Sequence, residues 1–512
     1  MNSRQGHLDV ANSLLLELEH FLNHLGSANK AVATGIPAFI RSIRKETSSD
    51  VLSIHGATAI THARLHWDVL KRCRSFVAIN QTFQGSSKED RKREALRQGV
   101  SGKEKERLTK TLREQGRVAV HVVEGGKEWL DVRFLQEDRL ARQLADCGWG
   151  WGDHAPGEDV DKDEWEDTAL AKHVKRLLSA ARMNRHDYRL PRIRLVLPKI
   201  SAENADIAVF LEQLSRLDPA VELLVELKDG KFLSTPPPDL DAALKDLIGN
   251  EFDALTQTLN LDHPLLIDMI SDITHLHLEV QPWHHRTTQV QILEEQQKQG
   301  LMARTLYRIL DNRALVCTRQ MAEHFHEVLS TVGTNTERER GRLLVPLGDD
   351  YRDTPPSILR ERFASLSTHP PPDTVQIPVT ILHDETWDMA AVHRAIDSGR
   401  LPAVALDVAR CGDFKSSRLS VYMYGWASGH VIVTSNKEIG GQIRTWLEAN
   451  RHADDEVGPS IWRVNMTRNL LASSATPPPW WVSENKGTGE AKGRRASEED
   501  ARSNNIIKHD CS

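Results

Sequence analysis

The sequence predicts an α/β protein: an N-terminal helical bundle joined to a small α/β region, a second α/β half, and a C-terminal tail without a core of its own. Leucines at helical spacing open the chain, β-rich runs alternate with helical stretches from residue 117 onward, and Pro- and Gly-rich clusters punctuate the middle and the end. The 512 residues are 39% hydrophobic and 27% charged, with a formal charge of -6. That is ordinary globular composition, and it excludes collagen-like, mucin-like and wholly disordered classes. At about 100–200 residues per domain, the length calls for two to four domains.

Leu8, Ala11, Leu15, Leu18, Leu22 and Leu25 step by three and four, which places an apolar stripe on one helix face. Gly35-Ile36-Pro37 announces a second helix over residues 38–46, and a third is expected over 57–77, completing the bundle. Residues 88–117 hold eleven Lys/Arg against six Asp/Glu and read as an exposed insert, helical or disordered. Alternating runs at 117–123 and 128–134 flank Gly125-Gly126 and predict a β-hairpin. A Trp/Gly stretch at 148–153 leads through an acidic loop, 158–167, into a helix over 168–182. A strand at 192–197, a helix at 202–217 and a strand at 221–226 form a βαβ unit. Ser234-Thr235-Pro236-Pro237-Pro238 then starts a linker over 234–249, between a first domain at 1–233 and a second at 250–474.

In the second half a strand at 256–262 ends in Asp262, with a helix behind it to about residue 274. A buried strand at 313–318 precedes a helix at 320–332 that sets Met321, Phe325, Val328 and Leu329 on its core face. Strands are expected at 403–408, 419–424 and 430–434, followed by a helix at 441–450 and a strand at 461–464. From Pro477 the chain is rich in Pro, Gly and charge, and residues 475–512 are read as disordered. The tail also contains Arg494-Arg495-Ala496-Ser497, a short match to a basophilic kinase site.

Cys73, Cys147, Cys317, Cys411 and Cys511 are odd in number and scattered without a C-x-x-C pair, which argues against a disulfide framework or a zinc ribbon. The opening 25 residues are interrupted by Glu17, Glu19 and His20, and no run approaches the ~18 apolar residues of a membrane span. A cytoplasmic or nuclear protein without a membrane partner is expected.

Familiar chemistries fail on spacing. His326-Glu327 begins like a zinc-binding helix, but Ser330 stands where the second imidazole belongs. Asp159, Asp161 and Asp163 begin like a calcium loop, yet Glu164 replaces the turn glycine. His62 and His66 lie one helical turn apart without a nearby third ligand in sequence, so packing or solvation is the simpler reading. No phosphate-binding loop or nucleophile elbow is present. What remains is a set of oxygen ligands at element ends: Asp262, Glu323, Glu337, Glu339 and Asn436. Carboxylates gathered beyond the carboxyl ends of parallel strands would repel unless Mg²⁺ or Mn²⁺ joined them, a layout suited to phosphodiester hydrolysis. Taken singly, Asp262 serves equally as a helix cap, Glu323 as a solvated helix position, and the Glu337-Arg338-Glu339-Arg340 run as an exposed ion-pair face.

In order along the chain, Asn260-Leu261-Asp262, Cys317 with Phe325, Gly333 to Arg340, residues 419–424 with Gly425, Thr434-Ser435-Asn436 and Arg468-Asn469-Leu470 resemble the eukaryotic family grouped as domain of unknown function 1308, found from fungi to animals. Residues 58–62, the hairpin and Trp151-Gly152-Asp153 resemble its N-terminal region, while 88–110 and 345–412 read as insertions peculiar to this member. That family's C-terminal domain resembles the PIN-like nuclease fold, a parallel sheet flanked by helices. The resemblance implies a metal-dependent endoribonuclease with Asp262, Glu323 and Glu337 as catalytic acids, and with Glu339 and Asn436 completing a Mg²⁺ or Mn²⁺ site. Asn436 departs from the pattern, since an amide in place of a carboxylate removes a negative charge and weakens metal affinity. Two functions therefore stand: a ribonuclease holding single-stranded RNA through residues 88–110, Arg338, Arg340 and Arg444, or a non-catalytic PIN-like scaffold that binds protein partners.

Overall fold

The structure is a computed structural model that describes residues 2–25, 34–48, 54–348, 351, 353–383, 386–479 and 481–482. It divides into two units, Met1–Asp253 with Ala453–Asp455, and Ala254–His452 with the chain from Glu456 onward. Both are mixed α/β, and no helix among the described residues is long and apolar enough to cross a membrane.

The first unit holds a five-stranded sheet in the order β1 (Phe76–Gln84), β2 (Arg117–Glu124), β3 (Glu128–Val132), β4 (Arg192–Leu197) and β5 (Leu223–Leu227). β1–β2 and β2–β3 pair antiparallel, whereas β3–β4 and β4–β5 are parallel. The hairpin turn sits at Gly125 and Gly126, both at positive φ, which side chains resist. The βαβ unit is β4, the helix Ala205–Ser215 and β5. Helices Asn2–His24, Ile36–Thr47 and Ile54–Leu70 cover one sheet face, where Leu14, Leu18, Phe21, Ile40 and Trp67 share a core with Val122, Leu130, Val132 and Val196. The three helices are thus a layer on a sheet. Helices Ala169–Met183 and Ala205–Ser215 cover the other face, packing Val174, Leu177, Ile207 and Phe210 against Trp129, Ile193 and Leu195.

Several elements differ from the sequence expectation. The buried face of the first helix is Ala11, Leu14, Leu18, Phe21 and Leu25; Leu15 and Leu22 are only partly buried. The third helix ends at Leu70, and the β-branched and aromatic run from Phe76 forms β1, so the hairpin becomes a three-stranded meander. The charged insert forms two helices, Lys88–Arg97 and Gly102–Gln115, the first opened by a reciprocal Ser87/Asp90 capping box. Residues 234–249 carry the helix Leu240–Ile248, capped by Asp239, whose Leu244 and Leu247 join the first unit's core. The chain therefore passes to the second unit between Asp253 and Ala254.

The second unit's sheet is parallel throughout, in the order β10 (Ile461–Arg463), β9 (Val431–Thr434), β6 (Thr258–Leu261), β7 (Ala314–Thr318) and β8 (Thr380–Leu382). The order reverses between β6 and β9. The strands expected at 403–408 and 419–424 are instead the helices Val404–Cys411 and Ser416–Ser428. The second buries Leu419, Ser420, Val421, Tyr422, Met423, Gly425 and Trp426, and a short helix buried nearly all round has the same apolar run as a core strand. Residues 345–412 supply the edge strand β8 as well as the helices Pro356–Ser365 and Met389–Asp397, so they complete the sheet. The single helix expected after Asp262 breaks into His263–Asp268 and Asp272–His275, because Ser271 caps a second start. Helices Arg286–Lys298 and Leu301–Leu310 carry no sequence expectation.

The chain after β10 is stitched back to these early helices. Thr467 Oγ1 and Arg468 N donate to Asp268 Oδ1 at 2.9 and 2.6 Å, and Arg468 Nε donates to Glu295 Oε1 at 2.6 Å. Ser271 Oγ donates to Asn469 O at 2.6 Å, Asn469 N to Gln291 Oε1 at 3.1 Å, and Leu471 N to Glu337 Oε1 at 2.7 Å. Of the expected tail, only 475–479 and 481–482 are among the described residues; Cys511 and Arg494 to Ser497 lie outside them. Cys73, Cys147, Cys317 and Cys411 are free thiols.

Candidate functional site

The sequence points to the carboxyl ends of β6 and β9, the place where the strand order reverses and where ligands of open parallel sheets bind. Asp262 follows β6 there, with its backbone N–H donating to Val433 O of β9 at 3.1 Å. It is 4% exposed. Oδ1 accepts the N–H of His263 at 2.8 Å, capping the helix His263–Asp268. Oδ2 accepts two hydroxyls, Thr434 Oγ1 at 2.7 Å from the end of β9 and Tyr422 Oη at 2.8 Å from the helix Ser416–Ser428. Burial pushes the Asp262 carboxyl above its ordinary range, and the Thr434, Tyr422 and His263 donors oppose that shift. Burial together with the Asp262 charge drives the Tyr422 hydroxyl well up, so it remains a donor.

The helix that brings Tyr422 in is seated closely. Asn260, fully buried on β6, donates Nδ2 to Val421 O at 2.8 Å, and Gly425 lies so near β9 that a Cβ would stand 2.4 Å from Ile432 Cγ1. The first turn of this helix and its cap, Lys415-Ser416-Ser417-Arg418, hold two cations and no acid, and Arg418 acts electrostatically on both Asp262 and Tyr422. Next to Asp262, His263 Nε2 is buried without a partner, its ring centroid 5.0 Å from that of His324, and burial lowers its pKa to about 4.

The other named residues serve different places. Glu323 is half exposed and pairs with Arg319 at 2.9 Å along its own helix. Glu337 is fully buried, and its oxygens accept three backbone N–H groups: Thr334 at 2.9 Å, Asp272 at 3.0 Å and Leu471 at 2.7 Å. It closes the capping box of the helix Asn335–Leu344, and burial pushes its carboxyl up. Glu339 accepts from Tyr351 Oη at 3.3 Å and stands 4.0 Å from Arg342. Asn436 Oδ1 accepts the N–H groups of Glu438 at 3.0 Å and Ile439 at 3.3 Å, at the start of the helix Ile439–Asn450. Arg340, named as a phosphate contact, is fully buried and pairs with Asp272 at 2.5 Å, so it has no face to offer RNA; Arg444 is exposed.

Each of the expected metal ligands is engaged by protein donors or an ion pair in this arrangement. A Mg²⁺ or Mn²⁺ ion needs carboxylate oxygens with free lone pairs turned toward one point. Asp262 and Glu337 each give three of about four lone-pair sites to protein donors, and Glu323 turns to Arg319. Among the described residues, no three His, Cys, Asp or Glu side chains are grouped to hold a metal ion. The sequence reading passed over Tyr422 and Asp268. Tyr422 was hidden in a run taken for a strand. Asp268, which ends the helix begun at His263, has its carboxyl pushed by burial to about 7. No protein-family model, no curated protein and no solved structure matches the chain.

Proposed function

We propose that the second unit is a PIN-like scaffold that does not cut phosphodiesters, and that the protein acts by binding protein partners. The parallel order β10-β9-β6-β7-β8, with Asp262 at its reversal, supports the PIN-like reading. The observation that carries the non-catalytic reading is the closed coordination of Asp262: two hydroxyls and a backbone N–H occupy the acid on which hydrolysis would depend. An amide at Asn436 and cations at the start of the helix Ser416–Ser428 agree with it. The test is incubation of labelled single-stranded RNA with the full chain and Mn²⁺ or Mg²⁺, beside Asp262→Asn and an EDTA control. Wild type and variant are expected to be equally inert. Metal-dependent cutting abolished by Asp262→Asn would replace this reading with a ribonuclease.

A further inference from the structure

Apart from the Asp262 cluster, the second unit holds a groove of about 540 Å³, lined mainly by Trp387, Ala391, Arg394, Ala395, Ser398 and Arg400. Ala391, Arg394, Ala395 and Ser398 recur at spacings of three and four, which sets them on one side of the helix Met389–Asp397 and its cap. Trp387 enters just before that helix and is held in place. Its backbone N–H donates to Gln320 Oε1 at 2.8 Å, and Gln320 Nε2 donates back to Trp387 O and on to Ser416 Oγ, both at 2.8 Å. Gln320 lies in the first turn of the helix Arg319–Val332, directly after β7, so the groove opens on the side of the sheet where the strands' carboxyl ends lie.

Trp387 and Ala395 are the buried members of this lining and make its floor; the others are exposed or half-buried. Trp387 is 3% exposed, and its Nε1 is buried without a hydrogen-bond partner. An indole N–H can only donate, so its burial forfeits a bond that water would have made. Native proteins pair nearly all such groups, and the acceptor for this one is to be sought outside the chain.

The rest of the groove decides what that acceptor is. Arg394 is exposed and in no ion pair among the described residues, and Arg400 Cζ stands 5.9 Å over the Trp387 ring. No acid lines the groove among the described residues; nearby Asp388 caps the helix, its Oδ1 accepting Ala391 N at 2.7 Å. The carbonyl of Ala395 is taken by Ser398 Oγ at 3.1 Å, Arg400 N at 2.8 Å and Leu401 N at 3.1 Å. The groove therefore presents donors, positive charge and an apolar floor. A phosphate, with three acceptor oxygens and a charge near two, would find too few donors in one indole N–H and one uncommitted guanidinium. A carboxylate is planar and singly charged, and it accepts a guanidinium fork together with one further N–H. The volume is that of a small-molecule site. We propose that this groove binds the carboxylate of a small organic acid, which accepts from Trp387 Nε1, pairs with Arg394 and lays an apolar body on Ala391 and Ala395. The assignment does not depend on whether the protein cuts RNA or binds partners.

Saturation-transfer NMR of the full chain with benzoate tests it, beside the indole N–H region of a nitrogen-15 spectrum. Saturable transfer to benzoate is expected, together with movement of one indole resonance, the one missing from Trp387→Phe. Trp387→Phe should weaken binding at least about tenfold, as for loss of a hydrogen bond to a charged acceptor. Arg394→Gln changes an exposed side chain and should weaken binding roughly fivefold, as for one exposed charge pair. Arg444→Gln, exposed on the helix Ile439–Asn450, should bind as wild type does. Benzamide, of the same shape without the charge, should bind more weakly than benzoate. Absent saturable binding, equal binding of benzamide and benzoate, an unmoved indole resonance, an Arg394→Gln protein equal to wild type, or preference for inorganic phosphate or a blocked glutamate tripeptide would each overturn the assignment.

Discussion

Tyr422→Phe tests the Asp262 cluster directly. The substitution keeps the ring and removes one hydroxyl, the donor at 2.8 Å from Asp262 Oδ2, leaving that oxygen with Thr434 alone. A hydrogen bond to a charged acceptor contributes about 1.5–3 kcal/mol, and an acceptor this deeply buried has no water to turn to. The expected loss is about 2 kcal/mol, or a Tm lower by about 4–8 °C for a unit of roughly 200 residues. Because the two units need not melt together, urea unfolding followed by amide exchange at β6 and β9 is the suitable assay. Adding Asp262→Asn completes a double-mutant cycle, and the two changes should couple by about 1 kcal/mol or more. A Tyr422→Phe protein within about 0.5 kcal/mol of wild type, or a cycle without coupling, would refute the closed coordination and return Asp262 to the list of open ligands.

Gly425→Ala should destabilise the second unit by about 1–3 kcal/mol in urea unfolding, because a Cβ 2.4 Å from Ile432 Cγ1 overpacks the helix against β9 and outweighs the usual helical gain from alanine. Asp268 has a folded pKa of about 7, above its unfolded value, so the folded state holds the extra proton and stability falls as pH rises from about 4 through about 7. Asp268→Asn, a neutral mimic of the protonated acid, should flatten that decline; equal urea midpoint differences at pH 5 and pH 8 would count against it.

What the sequence made legible follows from periodicity. Strands at 192–197 and 430–434 and the helix around Phe325 were readable because their apolar spacing is unambiguous and their caps are conventional. Residues 419–424 were misread because burial on nearly every side of the helix Ser416–Ser428 erases its polar face, and the error concealed Tyr422, the partner that closes Asp262. Glu337 and Asn436 were legible as polar residues at element ends, and Thr334-x-x-Glu337 is a capping-box pattern, but nothing local shows that Glu337 also takes the N–H groups of Asp272 and Leu471, the latter 134 residues away. The contact of His66, on the helix Ile54–Leu70, with His121 of β2 was invisible for a related reason. His62 and His66 were noticed one turn apart, but His121 and Asp131 come to them only when a helix and two strands assemble.

The stitching of residues 467–471 onto Asp268, Ser271, Gln291, Glu295 and Glu337 has a consequence for how the protein is made. Bonds that span up to 200 residues join the start of the second unit to its end. Until Leu471 has left the ribosome, Glu337 lacks one donor and Asp268 lacks two, and β10 has only just arrived to cover the edge of β9. The second unit therefore completes its core only after Leu471 is made, whereas the first unit has nearly all of its chain in hand some two hundred residues earlier. During that interval the nascent second unit exposes the edge of β9 and holds Asp268 and Glu337 short of their donors.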